Sequence, residues 1–91
     1  MPEVKIYTID GCHYCKKAKE ILTLKKVKFS EIKVITDEDW KKLEKLTSRE
    51  TVPQIFINGR HIGSCDDLLK LDKEKKLDLL LKKIHNKLIN N

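Results

Sequence analysis

The sequence predicts an α/β domain with a four-stranded mixed sheet flanked by helices, in the chain order β-α-β-α-β-β-α-α. Short runs of β-branched and aromatic residues alternate with longer stretches in which apolar residues recur at helical spacing. An Asn-Gly pair at 58–59 separates two of the short runs and is typical of a tight hairpin turn. Because 91 residues suit one domain, we expect a single domain over residues 1–91.

The first half of the chain has the pattern of a strand-helix-strand unit. Residues 4–9 predict a strand, which ends at the turn signal Asp10-Gly11. Residues 13–25 predict a helix, and the alternating residues 27–35 predict a second strand. Since a helix joins these two strands, we expect them to be parallel, with a right-handed crossover. The expected inward side of the helix consists of Cys15, Ala18, Ile21 or Leu22, and Leu24 or Lys25.

A second helix follows directly. Thr36 and Asp37 are candidates for its N-terminal cap, and the acidic residues that come next suit the positive end of the helix dipole. This helix ends near Thr47-Ser48. We expect its apolar stripe to consist of Trp40, Leu43 and Leu46.

A hairpin and a short helix are predicted in the second half. The continuous apolar run at 54–57 predicts a buried strand, and Asn58-Gly59 connects it to an antiparallel partner at 60–62. Ser64 then caps a short helix, with Asp67 in the capping-box position three residues later. The expected buried side of this helix is Leu68, Leu69 and Leu71.

Residues 73–89 predict a final amphipathic helix, and residues 90–91 are expected to fray. Its apolar face consists of Leu77, Leu80, Leu81, Ile84 and Leu88.

The formal net charge of +6 comes mainly from lysine, since Arg49 and Arg60 are the only arginines. Lysine presents a solvated point charge, whereas base recognition favours the planar guanidinium group of arginine. The few aromatic residues are scattered and form no stacking platform for single-stranded nucleic acid. We therefore expect the lysines to solvate helix faces, and we expect no nucleic-acid partner.

The three cysteines comprise a C-x-x-C at Cys12 and Cys15 and a separate Cys65. This odd number does not indicate the disulfide framework of a secreted protein. No stretch has the length and apolar character of a signal peptide or a membrane span. We therefore expect a cytoplasmic protein with no membrane partner, in which a C-x-x-C is catalytic or binds a metal.

The C-x-x-C lies where the first strand meets the first helix, a position that favours redox chemistry. Cys12 falls at the N-cap or first turn, where unpaired backbone N–H groups and the helix dipole favour a thiolate, the reactive form of cysteine. His13 and Lys16 add positive potential that tunes the pKa of Cys12. We expect Cys15 to be more buried, to have a higher pKa and to resolve a mixed disulfide on Cys12. A C-x-x-C in this βαβ context indicates the thioredoxin-like fold.

Two other interpretations of the cysteine pair are a structural disulfide and a zinc site. A structural disulfide is disfavoured in a reducing compartment. Zinc needs four nitrogen or sulfur ligands, and the candidates that would complete such a site, Cys65, His61 and His13, fall at no familiar spacing. We therefore expect no metal site.

Two further motifs add to the C-x-x-C. Thr51-Val52-Pro53 precedes the buried strand, and Gly63-Ser64-Cys65-Asp66-Asp67 opens the short helix. In this order and spacing the three motifs resemble the glutaredoxin family, as does the block at 51–57. The resemblance extends over residues 4–71 and is to dithiol, class I-like members, with C-H-Y-C in place of C-P-Y-C.

The resemblance implies that glutathione is a co-substrate whose sulfur meets Cys12. Pro53 would be cis and face the cysteine pair, and the Val52 backbone would pair with the cysteinyl part of the tripeptide. The N–H groups of Cys65 and Asp66 would bind the γ-glutamyl carboxylate, and the Asp66 side chain would bind its ammonium group. Tyr14 would flank the sulfur, while Arg49 and Gln54 would reach the glycine carboxylate. The implied glutathione-binding residues are Tyr14, Arg49, Thr51, Val52, Pro53, Gln54, Gly63, Cys65 and Asp66.

Three positions depart from the family pattern. His13 replaces the usual Pro, and a protonated His13 would further stabilise the Cys12 thiolate. Ile9 stands where many members have a Lys that helps to hold the glycine carboxylate, and Ser64 replaces the second Gly of the last motif. Cys65 has two interpretations, a small residue whose backbone binds the ligand or a regulatory thiol.

The resemblance implies an enzyme, a glutathione-dependent thiol–disulfide oxidoreductase of electron transport and cell redox homeostasis. It would reduce protein–glutathione mixed disulfides and protein disulfides as a monomer that needs no metal, with Cys12 as nucleophile and Cys15 as resolving thiol. One alternative is a thioredoxin-like reductase served by a flavoprotein, which Asp66 and the anion site at the helix start disfavour. Another is a carrier of an iron–sulfur cluster bridged between two chains by Cys12 and glutathione.

Overall fold

The computed structural model describes residues 2–81, and within this range the chain follows the predicted order of strands and helices. The elements are β1 (Val4–Thr8), α1 (His13–Leu24), β2 (Ser30–Lys33), α2 (Asp37–Thr47), β3 (Gln54–Ile57), β4 (Arg60–Gly63), α3 (Cys65–Lys73) and α4 (Lys76–Leu81).

The strands form one mixed sheet in the order β2-β1-β3-β4, which confirms the predicted fold class. β1 runs parallel to β2, while β3 is antiparallel to both β1 and β4. Tyr7 near the end of β1 therefore lies opposite Gln54 at the start of β3, and Gly63 at the end of β4 lies opposite Ile55. The segments that follow β1, precede β3 and follow β4 consequently meet at one end of the sheet.

The hydrophobic core joins one face of the sheet to α1, α3 and α4. In β1 buried residues alternate with more exposed ones, as the period of two in a strand requires, whereas in β3 Gln54 is buried as well as Ile55 and Ile57. The fully buried members of this core are Ile6, Ala18, Leu22, Ile55, Leu68 and Leu77. The core therefore fixes α1 and α3, the two helices whose first turns lie at the end of the sheet described above.

The second strand is shorter than the predicted 27–35, because pairing with β1 covers only Ser30–Lys33. Lys26 has a positive φ of 59°, so the chain turns sharply just before this segment. Val27 and Phe29 nevertheless pack against the core. The alternation of apolar residues at Val27 and Phe29 indicated correctly that they pack against the core, but a residue can do so without belonging to a strand.

Leu46, which was predicted to be buried, is exposed, and so is Leu24, one of the two residues offered for the last inward position of α1. Leu24 is 81% exposed, because the buried residues of α1 are Cys15, Ala18 and Leu22, and a residue two positions after Leu22 lies on the opposite side of a helix. Leu46 is 54% exposed, because α2 buries Leu43 and Thr47. The Thr47 hydroxyl is accommodated there by donating to the Leu43 carbonyl at 2.8 Å.

The predicted final helix at 73–89 begins later than expected. Lys73 still belongs to α3, and Lys75, with a φ of 62°, separates that helix from α4. Leu77 and Leu81 are buried as predicted, whereas Ile84, Leu88 and residues 90–91 lie outside the described residues. None of the helices between residues 2 and 81 is long and apolar enough to cross a membrane.

Candidate redox site

The sheet topology brings three segments together around Cys12. The first is the start of α1, the second is the loop at 51–53 before β3, and the third is the first turn of α3. Each segment contains one of the three sequence motifs. Strand pairing therefore explains why motifs that are distant in sequence form one site.

Cys12 is the N-cap of α1. Its backbone is extended, with φ of −87° and ψ of 113°, and its Sγ accepts a hydrogen bond from the Cys15 backbone N–H at 3.1 Å. A negatively charged sulfur is favoured at this position, because helix N-termini present unpaired N–H groups and a positive partial charge. The residue is only half-buried, so that a disulfide can approach its sulfur.

The other two cysteines are buried. Cys15 and Cys65 are each 2% exposed. Burial, reinforced by the hydrogen bond with Cys12, raises the pKa of Cys15 to about 12. Burial likewise raises the pKa of Cys65. Both thiols are consequently protonated at neutral pH, and Cys12 is the cysteine of this site that solvent reaches most readily.

A cleft of about 240 Å³ adjoins the C-x-x-C and contains most of the residues implied to bind glutathione. The peptide bond between Val52 and Pro53 on its wall is cis. Asp66 is exposed in the first turn of α3, so its carboxylate is available to a ligand. The lining residues are Tyr14, Thr51, Val52, Pro53, Ser64, Cys65 and Asp66.

Gln54 supports this cleft from inside the protein, and its expected contact with the ligand stays a prediction. It is fully buried, and its Nε2 donates to the backbone and hydroxyl oxygens of Thr51 at 3.1 and 3.2 Å. Its Oε1 lies 2.7 Å from Nε2 of His61. Burial, with a smaller effect of Arg49, lowers the pKa of His61, so this histidine is neutral at neutral pH. Sequence reasoning missed this support, although the hairpin register places His61 beside Phe56.

Arg49 and Gly63 do not line the cleft either, and both shape the start of α3 through Asp67. The Asp67 carboxylate accepts from the Ser64 backbone at 2.8 Å and pairs with Arg49 at 2.9 Å. These contacts lower the pKa of Asp67, the backbone hydrogen bond most. Gly63 has a φ of 126°, and a Cβ at this position would lie 2.2 Å from Oδ2 of Asp67. Glycine is therefore required here.

A second cleft, of about 400 Å³, includes Cys12 and Cys15 in its wall. His13 is exposed at its rim, with its ring 5.9 Å from that of Tyr14. Lys16 also lines the cleft, so both residues expected to add positive potential lie beside Cys12. Two ion pairs cross this cleft, Lys19 with Glu31 and Lys33 with Asp10. The full lining consists of Ile9, Asp10, Gly11, Cys12, His13, Cys15, Lys16, Lys19, Glu31 and Lys33.

Within residues 2–81, no group of three or more His, Cys, Asp or Glu side chains is arranged to hold a metal ion.

Comparison with known proteins agrees with this geometry. The family model described as glutaredoxin matches residues 4–62. Glutaredoxin 3 of Escherichia coli (strain K12) is 47% identical over 85 residues, which cover 90% of this chain and all of that protein. The solution structure of glutaredoxin from Brucella melitensis matches with a TM-score of 0.79 at 47% identity, covering 88% of each chain. The crystal structure of the buckwheat glutaredoxin–glutathione complex matches with a TM-score of 0.81 at 26% identity, covering 88% of this chain and 76% of that one. The chain therefore belongs to the glutaredoxin family and is an oxidoreductase.

Proposed function

We propose that the chain is a glutathione-dependent thiol–disulfide oxidoreductase that reduces protein–glutathione mixed disulfides and protein disulfides. The proposal depends on one observation, the half-buried Cys12 at a helix N-terminus next to a cleft whose wall contains Tyr14 of the C-x-x-C and the first turn of α3 with its Asp66 carboxylate. Glutathione carries two carboxylates, an ammonium group and a thiol. It can therefore offer a thiol to Cys12, a carboxylate to the N–H groups of α3 and an ammonium group to Asp66. The solved complex of buckwheat glutaredoxin with glutathione supports this choice of ligand.

Glutathione would lie along the smaller cleft with its sulfur at Cys12. The backbone of Val52, which lines the cleft, would pair with the cysteinyl part like an added strand. The first N–H groups of α3, from Cys65 and Asp66, would bind the γ-glutamyl carboxylate, as helix N-termini do. The Asp66 carboxylate would bind the ammonium group, and Tyr14 would cover the sulfur.

The proposed cycle consists of disulfide exchanges. The Cys12 thiolate attacks the glutathione sulfur of a mixed disulfide, the substrate protein leaves as a thiolate, and Cys12 carries the glutathione. A second glutathione thiolate then attacks this sulfur, which regenerates Cys12 and releases oxidised glutathione. For a protein disulfide, Cys12 attacks one sulfur and Cys15 then displaces the substrate. The resulting Cys12–Cys15 disulfide is reduced by two glutathione molecules.

We further propose that the chain acts as a cytoplasmic monomer that needs no metal. Its proposed partners are glutathionylated or disulfide-bonded proteins, and we propose that it binds neither nucleic acid nor membranes. The odd number of cysteines, two of them in a C-x-x-C, suits a reducing compartment. No observation on the described residues favours the iron–sulfur carrier over the oxidoreductase.

Replacing Asp66 with Asn is expected to weaken recognition of the glutathione part of a substrate. The variant removes the carboxylate proposed to bind the ammonium group. KM for a glutathionylated peptide should therefore rise about tenfold, the effect expected from the loss of one charge-assisted hydrogen bond at an exposed site. The measurement is steady-state reduction of that peptide by glutathione. Asp37→Asn removes the same charge at an exposed position in the first turn of α2 and serves as the matched control.

The same assay, repeated with the peptide carrying cysteine instead of glutathione in the disulfide, tests the substrate class. The wild-type chain should prefer the glutathionylated peptide by about 100-fold in kcat/KM, because only that peptide supplies the γ-glutamyl group. Equal rates for the two peptides would refute glutathione recognition.

A further inference from the structure

The larger cleft beside Cys12 contains an interaction that the proposed cycle does not use. Lys19 lies on α1 four residues after Cys15, and residues at this spacing are neighbours on one side of a helix. Both residues line the cleft. The Lys19 ammonium group is 2.9 Å from Oε2 of Glu31 on β2.

Glu31 is itself held in place by a residue of the neighbouring strand. Its Oε2 accepts a hydrogen bond of 2.6 Å from the hydroxyl of Thr8, a residue of β1 that is fully buried. The hydrogen bonds from Thr8 and then from Lys19 lower the pKa of Glu31, so its carboxylate stays ionised. The chain thus has a fixed acceptor that holds the Lys19 ammonium group at the cleft.

Cys15 needs such a charge because its attack requires a thiolate. The thiol is buried, and burial raises its pKa, which makes the reactive form scarce at neutral pH. A hydrogen bond with the Ile9 backbone lowers the pKa of Cys15, and the positive charge of Lys19 acts in the same direction to a smaller extent.

We propose that Lys19 accelerates the resolving step by stabilising the thiolate of Cys15, and that Glu31 and Thr8 position Lys19 for this role. The inference rests on the proposed function. Cys15 loses its proton to solvent water and attacks the Cys12 sulfur of the Cys12–glutathione disulfide. The Cys12–Cys15 bond forms, the bond to glutathione breaks, and glutathione leaves as a thiolate that takes up a proton.

The other charged groups of the cleft do not replace Lys19. Asp10 and Lys33 pair with each other. His13 and Lys16 lie at the start of α1, beside Cys12. Cys12 itself opposes ionisation of Cys15 while it is a thiolate, but this charge is absent once Cys12 carries glutathione.

The test is a single-turnover reaction of the reduced chain with oxidised glutathione. Samples are quenched with acid, and mass spectrometry follows the glutathionylated chain as it converts to the internal disulfide. We expect Lys19→Met to slow this conversion about five- to tenfold at neutral pH. The pH at which the conversion rate rises should also move upward, because the Cys15 thiolate loses a nearby positive charge. Lys19→Arg keeps the charge and should restore the rate.

Two controls separate this role from a structural one. Lys25→Met removes the lysine at the C-cap of α1, which also pairs with carboxylates, here Asp72 and Asp78, and should leave the conversion unchanged. In a Cys15→Ser background, Lys19→Met should not alter the removal of glutathione from Cys12 by free glutathione, because no resolving step remains.

A wild-type conversion rate in Lys19→Met, or equal slowing in the Cys15→Ser background, would overturn the inference and leave the proposed function intact. Failure of the chain to become glutathionylated at Cys12 would overturn the proposed function and this inference with it.

Discussion

Replacing Cys12 with Ser is expected to abolish reduction of a glutathionylated peptide, whereas Cys15→Ser should retain it. Cys12 Sγ is the accessible sulfur at the N-terminus of α1, and a serine hydroxyl in its place stays protonated and unreactive. We expect a loss of at least about 1,000-fold in kcat, which is typical of removing a covalent nucleophile. In the proposed cycle Cys15 is dispensable for this substrate, because free glutathione displaces the adduct directly.

On a second substrate, a protein disulfide, both variants should fail, because the proposed dithiol cycle needs Cys12 as well as Cys15. Reduction of a protein disulfide in the dithiol mode needs Cys15, so Cys15→Ser should fail there and accumulate as a mixed disulfide with its substrate. Coupled turnover assays on both substrates, with thermal unfolding to establish that each variant is folded, make the comparison. Full activity of Cys12→Ser on the glutathionylated peptide would refute the assigned roles.

Leu22→Ala is expected to be the most damaging of the conservative changes in α1. Leu22 is fully buried in the core between the sheet and α3, so truncation removes apolar contacts and leaves a cavity. The free energy of unfolding should fall by about 3 kcal/mol, within the usual range for a buried leucine. Denaturant titration of the wild type and the variant measures this change.

Leu24→Ala is the matched control, because it makes the same substitution two residues later on the same helix. Leu24 is 81% exposed, and the free energy of unfolding should change by less than about 0.5 kcal/mol. Equal destabilisation by the two variants would contradict the orientation of α1 on the sheet.

These two leucines also show how far the sequence could predict the fold. Local signals were sufficient for the order of elements, because turn residues and periodicity are properties of neighbouring residues. The Asn58-Gly59 turn and the contact of Asp67 with Ser64 are of this kind. Periodicity left Leu24 or Lys25 open for the last inward position, since apolar residues two positions apart, such as Leu22 and Leu24, offer a helix two possible inward faces.

In the candidate site as well, some features could be predicted from the sequence and others could not. Motif positions predicted which segments would meet at Cys12, because parallel and antiparallel pairing sets which ends of the strands are adjacent. The orientations of Arg49 and Gln54 could not be predicted, since they depend on partners distant in sequence, Asp67 and His61. Lys19 gave no signal either, because its partner Glu31 becomes a neighbour only when β2 pairs with β1.

The central claim is that glutathione bonded to Cys12 occupies the cleft formed by residues 51–53 and the first turn of α3. The most direct measurement is an amide chemical-shift comparison of the Cys15→Ser chain before and after it forms the mixed disulfide with glutathione. We predict that the largest changes fall on Val52, Cys65 and Asp66. Changes confined to the larger cleft around Lys19 and Glu31, or an adduct on Cys65 instead of Cys12, would contradict the account.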